Sequence, residues 1–193
     1  YYLCRAGLAT PYFMIVADKQ VEKPEDLAGL KIGGIRGIGK AFAEELGCAV
    51  VSTASGEQYT ALERGLIDGL FTNSTSVVED SIYEVANYII DHPLYSYSSL
   101  LYALNLDSWD KLPAHLQKIM IDNAIEWEIE LQNRNTAKLE NNIKTLKEKE
   151  MEFIQFSQED VEYYTDTGYE VEWKAIQQNS PESYSKLREL LGE

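Results

Sequence analysis

The sequence predicts an α/β fold, with a doubly wound parallel sheet and helices on both of its faces. In residues 11–91, short runs of β-forming residues alternate with stretches in which apolar residues recur at helical spacing. Glycines mark most of the boundaries between these runs, most densely in residues 33–39. Because a crossover helix returns the chain to the same end of a sheet, strands that alternate with helices run parallel.

Each element of this half has its own local signal. Residues 12–17 form a short apolar run rich in β-formers, and Pro24 begins one helical turn in which acidic residues suit the helix dipole. The helix predicted at residues 40–46 ends at Gly47, a residue type that favours a helix C-terminus. The other predicted strands are residues 30–33, 49–52, 67–72 and 88–91, and the other predicted helices are residues 56–66 and 74–85.

The second half of the chain is predicted to be mainly helical. Residues 114–151 contain neither glycine nor proline, and their apolar residues recur at helical spacing on both sides of a polar patch at residues 132–136. An unbroken helix here would be about 50 Å long at roughly 1.5 Å per residue, enough to span two lobes. Strands are predicted at residues 98–105 and 151–156, and further helices at 157–174, capped by Ser157, and at 181–191.

Composition excludes some classes of partner. The chain of 193 residues has 17 basic and 32 acidic residues, which gives a net charge of −15 and a pI near 4.5. Such a charge repels phosphate backbones and anionic lipid surfaces, so no nucleic-acid partner is expected. There is no run of eighteen apolar residues, and the first residues lack the basic and apolar regions of a signal peptide. We therefore expect a soluble chain that is processed, excised or truncated at its start.

Residues that commonly carry catalysis or bind metals are few. Cys4 and Cys48 lack the spacing of a zinc site; a bridge between them requires an oxidising compartment, and otherwise Cys48 is expected to be a small buried thiol. The only histidines, His92 and His115, fit capping or surface roles better than general-base catalysis. No hydrolase, protease or zinc motif is present. We predict that the chain is not an enzyme and binds no metal or cofactor.

The glycine-rich segment at residues 34–40 matches the pattern G-x-x-x-x-G-K between a predicted strand and a predicted helix. A nucleotide-binding P-loop needs a serine or threonine next, because that hydroxyl holds the magnesium ion, but Ala41 occupies the position. Nucleotide hydrolysis is therefore not expected. The same glycines suit either an anion bound by free backbone N–H groups or a tight turn with close strand–helix packing.

Many short segments of the chain match the sequence pattern of one known protein family. The likeness covers residues 11–164, nearly the whole chain, and spreads over many short matches rather than one motif. The matching segments of the first half are Pro-Glu-Asp-Leu at 24–27, Gly-Leu-Lys-Ile at 29–32, Gly-Glu at 56–57, Tyr-Thr-Ala-Leu at 59–62 and residues 65–69. Those of the second part are Ile-Tyr-Glu-Val at 82–85, Tyr88, Asn105, Trp-Asp at 109–110, Leu-Pro at 112–113 and Leu-Gln-Lys at 116–118. Together these segments resemble the solute-binding subunits of tripartite ATP-independent periplasmic (TRAP) transporters.

This resemblance implies a type II periplasmic-binding-protein-like fold with an incomplete N-terminal lobe and a long inter-lobe helix. Residues 1–92 would form the α/β ligand-binding lobe, which is the second lobe of the family. Residues 93–150 would supply a crossover strand and the long helix that reaches toward the first lobe. Residues 151–193 would return to the second lobe. Lobe closure is then expected to bend the chain near residues 91–95 and at the polar patch of the long helix.

The resemblance also implies a function. Such a protein captures a small organic acid outside the cytoplasm, in the periplasm or at the cell exterior, and hands it to membrane permease subunits without changing it chemically. Family members usually carry an arginine that grips the ligand carboxylate directly after the Leu-Lys-Ile strand, where this chain has Gly33. Where the family often has an asparagine, this chain has Thr72 with Asn73 beside it. The predicted ligand-binding residues are Arg36, Tyr59, Phe71, Thr72 and Asn73.

Length is a third departure from the family, whose members are roughly half as long again. Residues that would build the first lobe are absent before Tyr1, so we expect exposed apolar surface where that lobe would pack. One hypothesis is a homodimer in which residues 95–105 and the long helix form the contact. The alternative function is that of a truncated paralogue that binds no small molecule and acts as an interaction or dimerisation module.

Overall fold

The computed structural model describes residues 1–8, 11–34, 37–94 and 99–191. The strands are β1 (Tyr2–Leu8), β2 (Tyr12–Val16), β3 (Lys31–Gly33), β4 (Ala49–Val50), β5 (Gly69–Asn73), β6 (Tyr88–Ile90), β7 (Ser99–Ala103) and β8 (Glu152–Ile154). The helices are α1 (Ile38–Glu45), α2 (Gln58–Glu63), α3 (Ser74–Glu79), α4 (Leu106–Asp110), α5 (Ala114–Glu148), α6 (Gln158–Asn179) and α7 (Pro181–Leu191), with 3₁₀ turns at Pro24–Leu27, Ser55–Glu57 and Ile82–Glu84.

Six strands form the main sheet in the order β4-β3-β5-β2-β6-β8. The pairs β3–β4, β3–β5 and β6–β8 are parallel, whereas β2 is antiparallel to both β5 and β6. The predicted α/β class is confirmed, but the sheet is mixed rather than wholly parallel. Only a 3₁₀ turn, and no crossover helix, lies between β2 and β3, the next strand along the chain. The rule that crossover helices make strands parallel therefore does not apply to β2.

Apolar side chains cover both faces of this sheet. Along β2, Met14 and Val16 belong to one buried cluster, whereas Phe13 and Ile15 belong to the other, as the alternation of a strand requires. Helices α1 and α6 pack on the first cluster, which includes Phe42 and Tyr164. Helices α2 and α3 and the end of α5 pack on the second, through side chains that include Leu62, Val77 and Leu146. The sheet therefore has a complete core on each side, as predicted for a doubly wound fold.

A second, smaller sheet consists of β1 and β7 alone in the part of the chain that the structure describes. The two strands are antiparallel, with Tyr2 opposite Ala103 and Leu8 opposite Ser99, and the register shifts twice between these ends. The first half of α5 packs on β1. Residues 1–8, assigned from the sequence to the 1–92 lobe, thus pair with a strand of the 93–150 segment, while β8 joins the main sheet. The division at residues 92 and 150 stays a prediction.

Helix α5 is a single α-helix of 35 residues. It continues without interruption through the polar patch at residues 132–136, and the bend expected there on lobe closure stays a prediction. Polar side chains leave the backbone hydrogen bonds of a helix intact, and the helix contains no glycine or proline that would interrupt them. Its second half is joined to α3 by the buried Asn142 amide, which donates to Thr75 Oγ1 at 3.0 Å and Ser74 Oγ at 3.4 Å.

Several local predictions are confirmed. Ser157 caps α6 by accepting a hydrogen bond from the Asp160 backbone N–H at 3.2 Å, and α7 has the predicted bounds. Cys4 and Cys48 are both buried and free, so they form no bridge. Burial raises the pKa of the Cys48 thiol to about 11. No described helix is long and apolar enough to cross a membrane.

Candidate functional site

The candidate site lies where β3 and β5 end side by side in the main sheet. The two strands are parallel, and Gly33 is paired with Leu70. The residues that follow them, Gly34 after β3 and the Thr72–Asn73 end of β5, therefore reach the same edge of the sheet. In open α/β sheets, ligands bind outside the carboxyl ends of parallel strands. This edge is where the fold offers a binding site.

The turn after β3 packs closely because it has two adjacent glycines. A Cβ built on Gly33 would lie 2.7 Å from Ile67 Cδ1 and 2.9 Å from Thr53 Oγ1. Gly34 has a φ of +77°, and its backbone N–H donates to Thr53 Oγ1 at 2.9 Å. A side chain at position 33 would therefore have to displace its neighbours, and position 34 adopts a backbone conformation that favours glycine.

Gln58, the first residue of α2, lies beside this turn. Its Nε2 is 2.9 Å from the position that a Cβ on Gly34 would occupy, and the residue is 6% exposed. Neither Gln58 nor Thr53 was predicted from the sequence. A signal existed for Gln58, because it lies four residues before Leu62 and thus on the inward stripe of the predicted helix.

Two predicted residues at the end of β5 contribute polar groups to this edge. Thr72 is 7% exposed, and its backbone pairs with Phe13. Asn73 is the N-cap of α3, where its Oδ1 accepts a hydrogen bond from the Ser76 backbone N–H at 3.0 Å. The cap fixes the Asn73 side chain at the start of α3.

The other predicted residues have different surroundings. Phe71 is buried in the core, where its ring centroid lies 5.9 Å from that of Phe42. The Tyr59 hydroxyl donates to Glu84 Oε2 at 3.2 Å, and this hydrogen bond, more than desolvation, raises the tyrosine pKa. Tyr59 thus joins α2 to the 3₁₀ turn that contains Glu84. Arg36 lies outside the described residues.

The P-loop-like lysine and His92 have structural partners. Lys40 Nζ lies 3.5 Å from Glu44 Oε1 in an exposed ion pair along α1. His92 Nε2 accepts a hydrogen bond from the Phe156 backbone N–H at 3.2 Å, so the neutral ring carries its proton on Nδ1. Burial lowers the pKa of His92, and Asp91 partly opposes this effect. In residues 1–8, 11–34, 37–94 and 99–191, no group of three or more His, Cys, Asp or Glu side chains could hold a metal ion.

The described residues form an α/β fold in which a long helix packs on both a mixed six-stranded sheet and a second, two-stranded sheet. The family model of the bacterial extracellular solute-binding proteins, family 7 (DctP), matches residues 13–178. The chain belongs to this family, whose members bind solutes for transport. A solute-binding protein of Albidiferax ferrireducens is 33% identical over 113 residues, which is 57% of this chain and 33% of the relative.

Solved structures of TRAP periplasmic solute-binding proteins share the fold. One from Chromohalobacter salexigens, with bound D-glucuronate, has a TM-score of 0.78 and 21% identity, over 95% of this chain and 60% of that chain. One from Rhodoferax ferrireducens, with bound malonate, has a TM-score of 0.76 and 22% identity, over 96% of this chain and 58% of that chain. One from Desulfovibrio salexigens contains orotic acid, with a TM-score of 0.78, 18% identity, and coverage of 95% and 59%. The chain therefore spans about three fifths of these relatives.

Proposed function

We propose that this chain is the extracytoplasmic solute-binding subunit of a TRAP-type transporter and captures a small organic acid without changing it chemically. The observation that carries the proposal is the meeting of bare glycine backbone and uncharged polar side chains at the ends of β3 and β5. Family membership supports it, as do the acids bound by proteins of the same fold. The partners would be the membrane permease subunits, and the location would be periplasmic or extracellular.

In this proposal the acid lies against the edge formed by Gly34, Thr72 and Asn73, with Arg36 supplying positive charge from the turn after β3. Tyr59 and Phe71 support the edge from behind rather than meeting the ligand first, since one bonds Glu84 and the other lies in the core. Closure over the ligand would bend the chain at residues 91–95. The long helix, which is continuous, would bend at its polar patch during closure.

A thermal-shift and calorimetric titration with D-glucuronate, malonate and orotate at pH 7 tests the proposal. A ligand that binds only the folded state at 100 times its Kd stabilises it by about 2.7 kcal/mol, so the unfolding midpoint should rise for at least one acid. D-Glucose serves as the control for glucuronate, because it lacks the carboxylate. If none of the three acids changes the midpoint or releases heat, the proposed function is wrong.

The contribution of Arg36 has its own test. Replacing it with alanine removes the positive charge that the proposal places near the carboxylate, and charged hydrogen bonds contribute about 1.5–3 kcal/mol. The affinity for a bound acid should therefore fall more than tenfold by calorimetry. Arg64→Ala is the matched control, since Arg64 is exposed at the end of α2. Unchanged affinity in Arg36→Ala would remove Arg36 from the site.

A second candidate function, that of an interaction or homodimerisation module, is favoured by one observation. On β7, the side chains of Leu100, Leu101 and Tyr102 are all more than half exposed. On α5, those of Ile119, Ile125 and Ile129 are also more than half exposed. Apolar exposure of this kind marks contact surfaces. Sedimentation velocity at tens of micromolar should give a dimer that Leu101→Glu dissociates. A monodisperse monomer would contradict the homodimer.

A further inference from the structure

The Gln58 side chain is an unusual polar group for its position. The residue is 6% exposed, yet its amide makes no hydrogen bond anywhere in the described part of the chain. Its polar atoms are not among the fully enclosed ones without a partner, so they keep a narrow contact with solvent. Buried amides are nearly always hydrogen-bonded, because leaving one unpaired costs about 1–3 kcal/mol. The free amide therefore needs an explanation.

The surroundings of Gln58 show where that amide is available. Its Nε2 lies next to Gly34, 2.9 Å from the position of a Cβ there. The Gly34 backbone N–H is already bonded to Thr53 Oγ1 at 2.9 Å. Gly33 and Gly34, the described residues of this turn, have no side chains that could cover the amide. It therefore borders the same strand ends at which the solute is proposed to bind.

The chemistry of the group limits what it can recognise. A primary amide offers two N–H donors and one acceptor oxygen but no charge. It complements a hydroxyl or amide, which both donates and accepts, better than it complements a lone carboxylate. Position 33 is a glycine, so this position supplies no charged side chain beside Gln58. A ligand group beside Gln58 would thus form neutral hydrogen bonds with its amide.

We propose that Gln58 is a specificity-determining residue that hydrogen-bonds a hydroxyl group of the solute beside the Gly33–Gly34 turn. The solute class is then a hydroxylated acid, such as a sugar acid, in preference to a simple dicarboxylate. This inference rests on the proposed function. It adds a named residue and a ligand class to the site.

Calorimetry with D-glucuronate and malonate on the unmodified protein and on Gln58→Leu tests the inference. We expect the unmodified protein to prefer D-glucuronate. Gln58→Leu should weaken glucuronate binding about tenfold or more and change malonate binding less than about threefold, because only glucuronate loses a hydrogen-bond partner. Gln177→Leu, at an exposed position of α6, is the control and should alter neither affinity.

Stability provides the second readout. Since leucine replaces an unpaired buried amide, Gln58→Leu should raise the unfolding midpoint of the ligand-free protein by about 2–4 °C. A purely structural glutamine would lower it instead. Preference for malonate, an equal loss for both acids or a destabilised variant would overturn the inference and leave the proposed function standing. If the unmodified protein binds none of D-glucuronate, malonate and orotate, both fail together.

Discussion

The two sheets of this molecule differ in how completely they are packed. The six-stranded sheet has a buried cluster on each face, and Met14, Ile15 and Val16 of its β2 strand are wholly inaccessible to solvent. The β1–β7 sheet is packed by α5, yet β7 carries three large apolar side chains that are more than half exposed. The first sheet is therefore covered on both faces, whereas large apolar side chains of the second are in contact with solvent.

The difference also separates two kinds of functional surface. The candidate solute site lies at the strand ends of the six-stranded sheet, where Thr53 Oγ1 accepts a hydrogen bond from the Gly34 N–H and Asn73 caps α3. Rigid surroundings favour a small ligand, because fewer groups must be ordered when it binds. The exposed apolar side chains of β7 and of α5 suit contacts with a protein surface instead. Substitutions in each region test this difference in packing.

The largest contrast is expected between alanine substitutions in the two sheets. Ile15→Ala removes a fully buried side chain from the six-stranded sheet and should lower the free energy of unfolding by about 2–5 kcal/mol. Leu101→Ala, at a position that is 57% exposed, should change it by no more than about 0.5 kcal/mol in the monomer. Urea unfolding followed by circular dichroism measures both. Equal losses would show that the β1–β7 sheet is packed as completely as the main sheet.

A smaller effect is expected at the edge of the main sheet. Gly33→Ala places a Cβ against Ile67 Cδ1 and Thr53 Oγ1 and should cost about 1–3 kcal/mol by overpacking. Gly56 is the matched control, because a Cβ there meets nothing within 4 Å, and Gly56→Ala should leave stability unchanged or slightly increased. The same urea experiment compares them. A neutral Gly33→Ala would mean that the turn has room for a side chain.

The contact between α5 and α3 is the third target for substitution. Asn142→Leu removes the amide that bonds Ser74 and Thr75 and leaves their hydroxyls without this donor, at a cost of about 1–2 kcal/mol. Gln132→Leu, at an exposed position of the same helix, should have little effect. Differential scanning calorimetry should show that Asn142→Leu lowers the midpoint. An unchanged midpoint would mean that α5 is held on α3 by apolar packing alone.

The smallest effect concerns pH. Because burial lowers the pKa of His92, the fold favours the neutral ring that accepts the Phe156 N–H. This contribution is complete above the unfolded pKa of about 6.5 and is lost as pH falls through the lower folded pKa. Urea unfolding between pH 7.5 and 5 should therefore show a loss of stability that His92→Gln reduces. His115→Gln should retain the original slope, and an equal slope in all three proteins would contradict the assignment.

Sequence reasoning succeeded where the determinants are local. The N-cap role of Ser157 and the bounds of α7 were predicted from capping and proline signals. The absence of glycine and proline from residues 114–151 predicted α5. It failed where pairing between distant segments decides. The antiparallel direction of β2 and the pairing of β1 with β7 depend on contacts that no local pattern encodes.

The candidate site shows the same division. The positions of Thr72 and Asn73 at the carboxyl end of β5 were predictable from the sequence, and their role in binding a ligand stays a prediction. The position of Gln58 beside the Gly33–Gly34 turn was not predictable, because it depends on how α2 packs against the end of β3 in the folded chain. Phe71 adjoins the site in sequence, but strand alternation turns its side chain into the core.

Hydrogen exchange with and without saturating D-glucuronate shows whether the solute binds at the strand ends of the six-stranded sheet. With D-glucuronate bound, we expect slower amide exchange in residues 53–63 and 69–76, which contain Gln58, Thr72 and Asn73, and no change in residues 99–103. Protection confined to β7 and the first half of α5, or no protection under conditions where calorimetry shows binding, would contradict it.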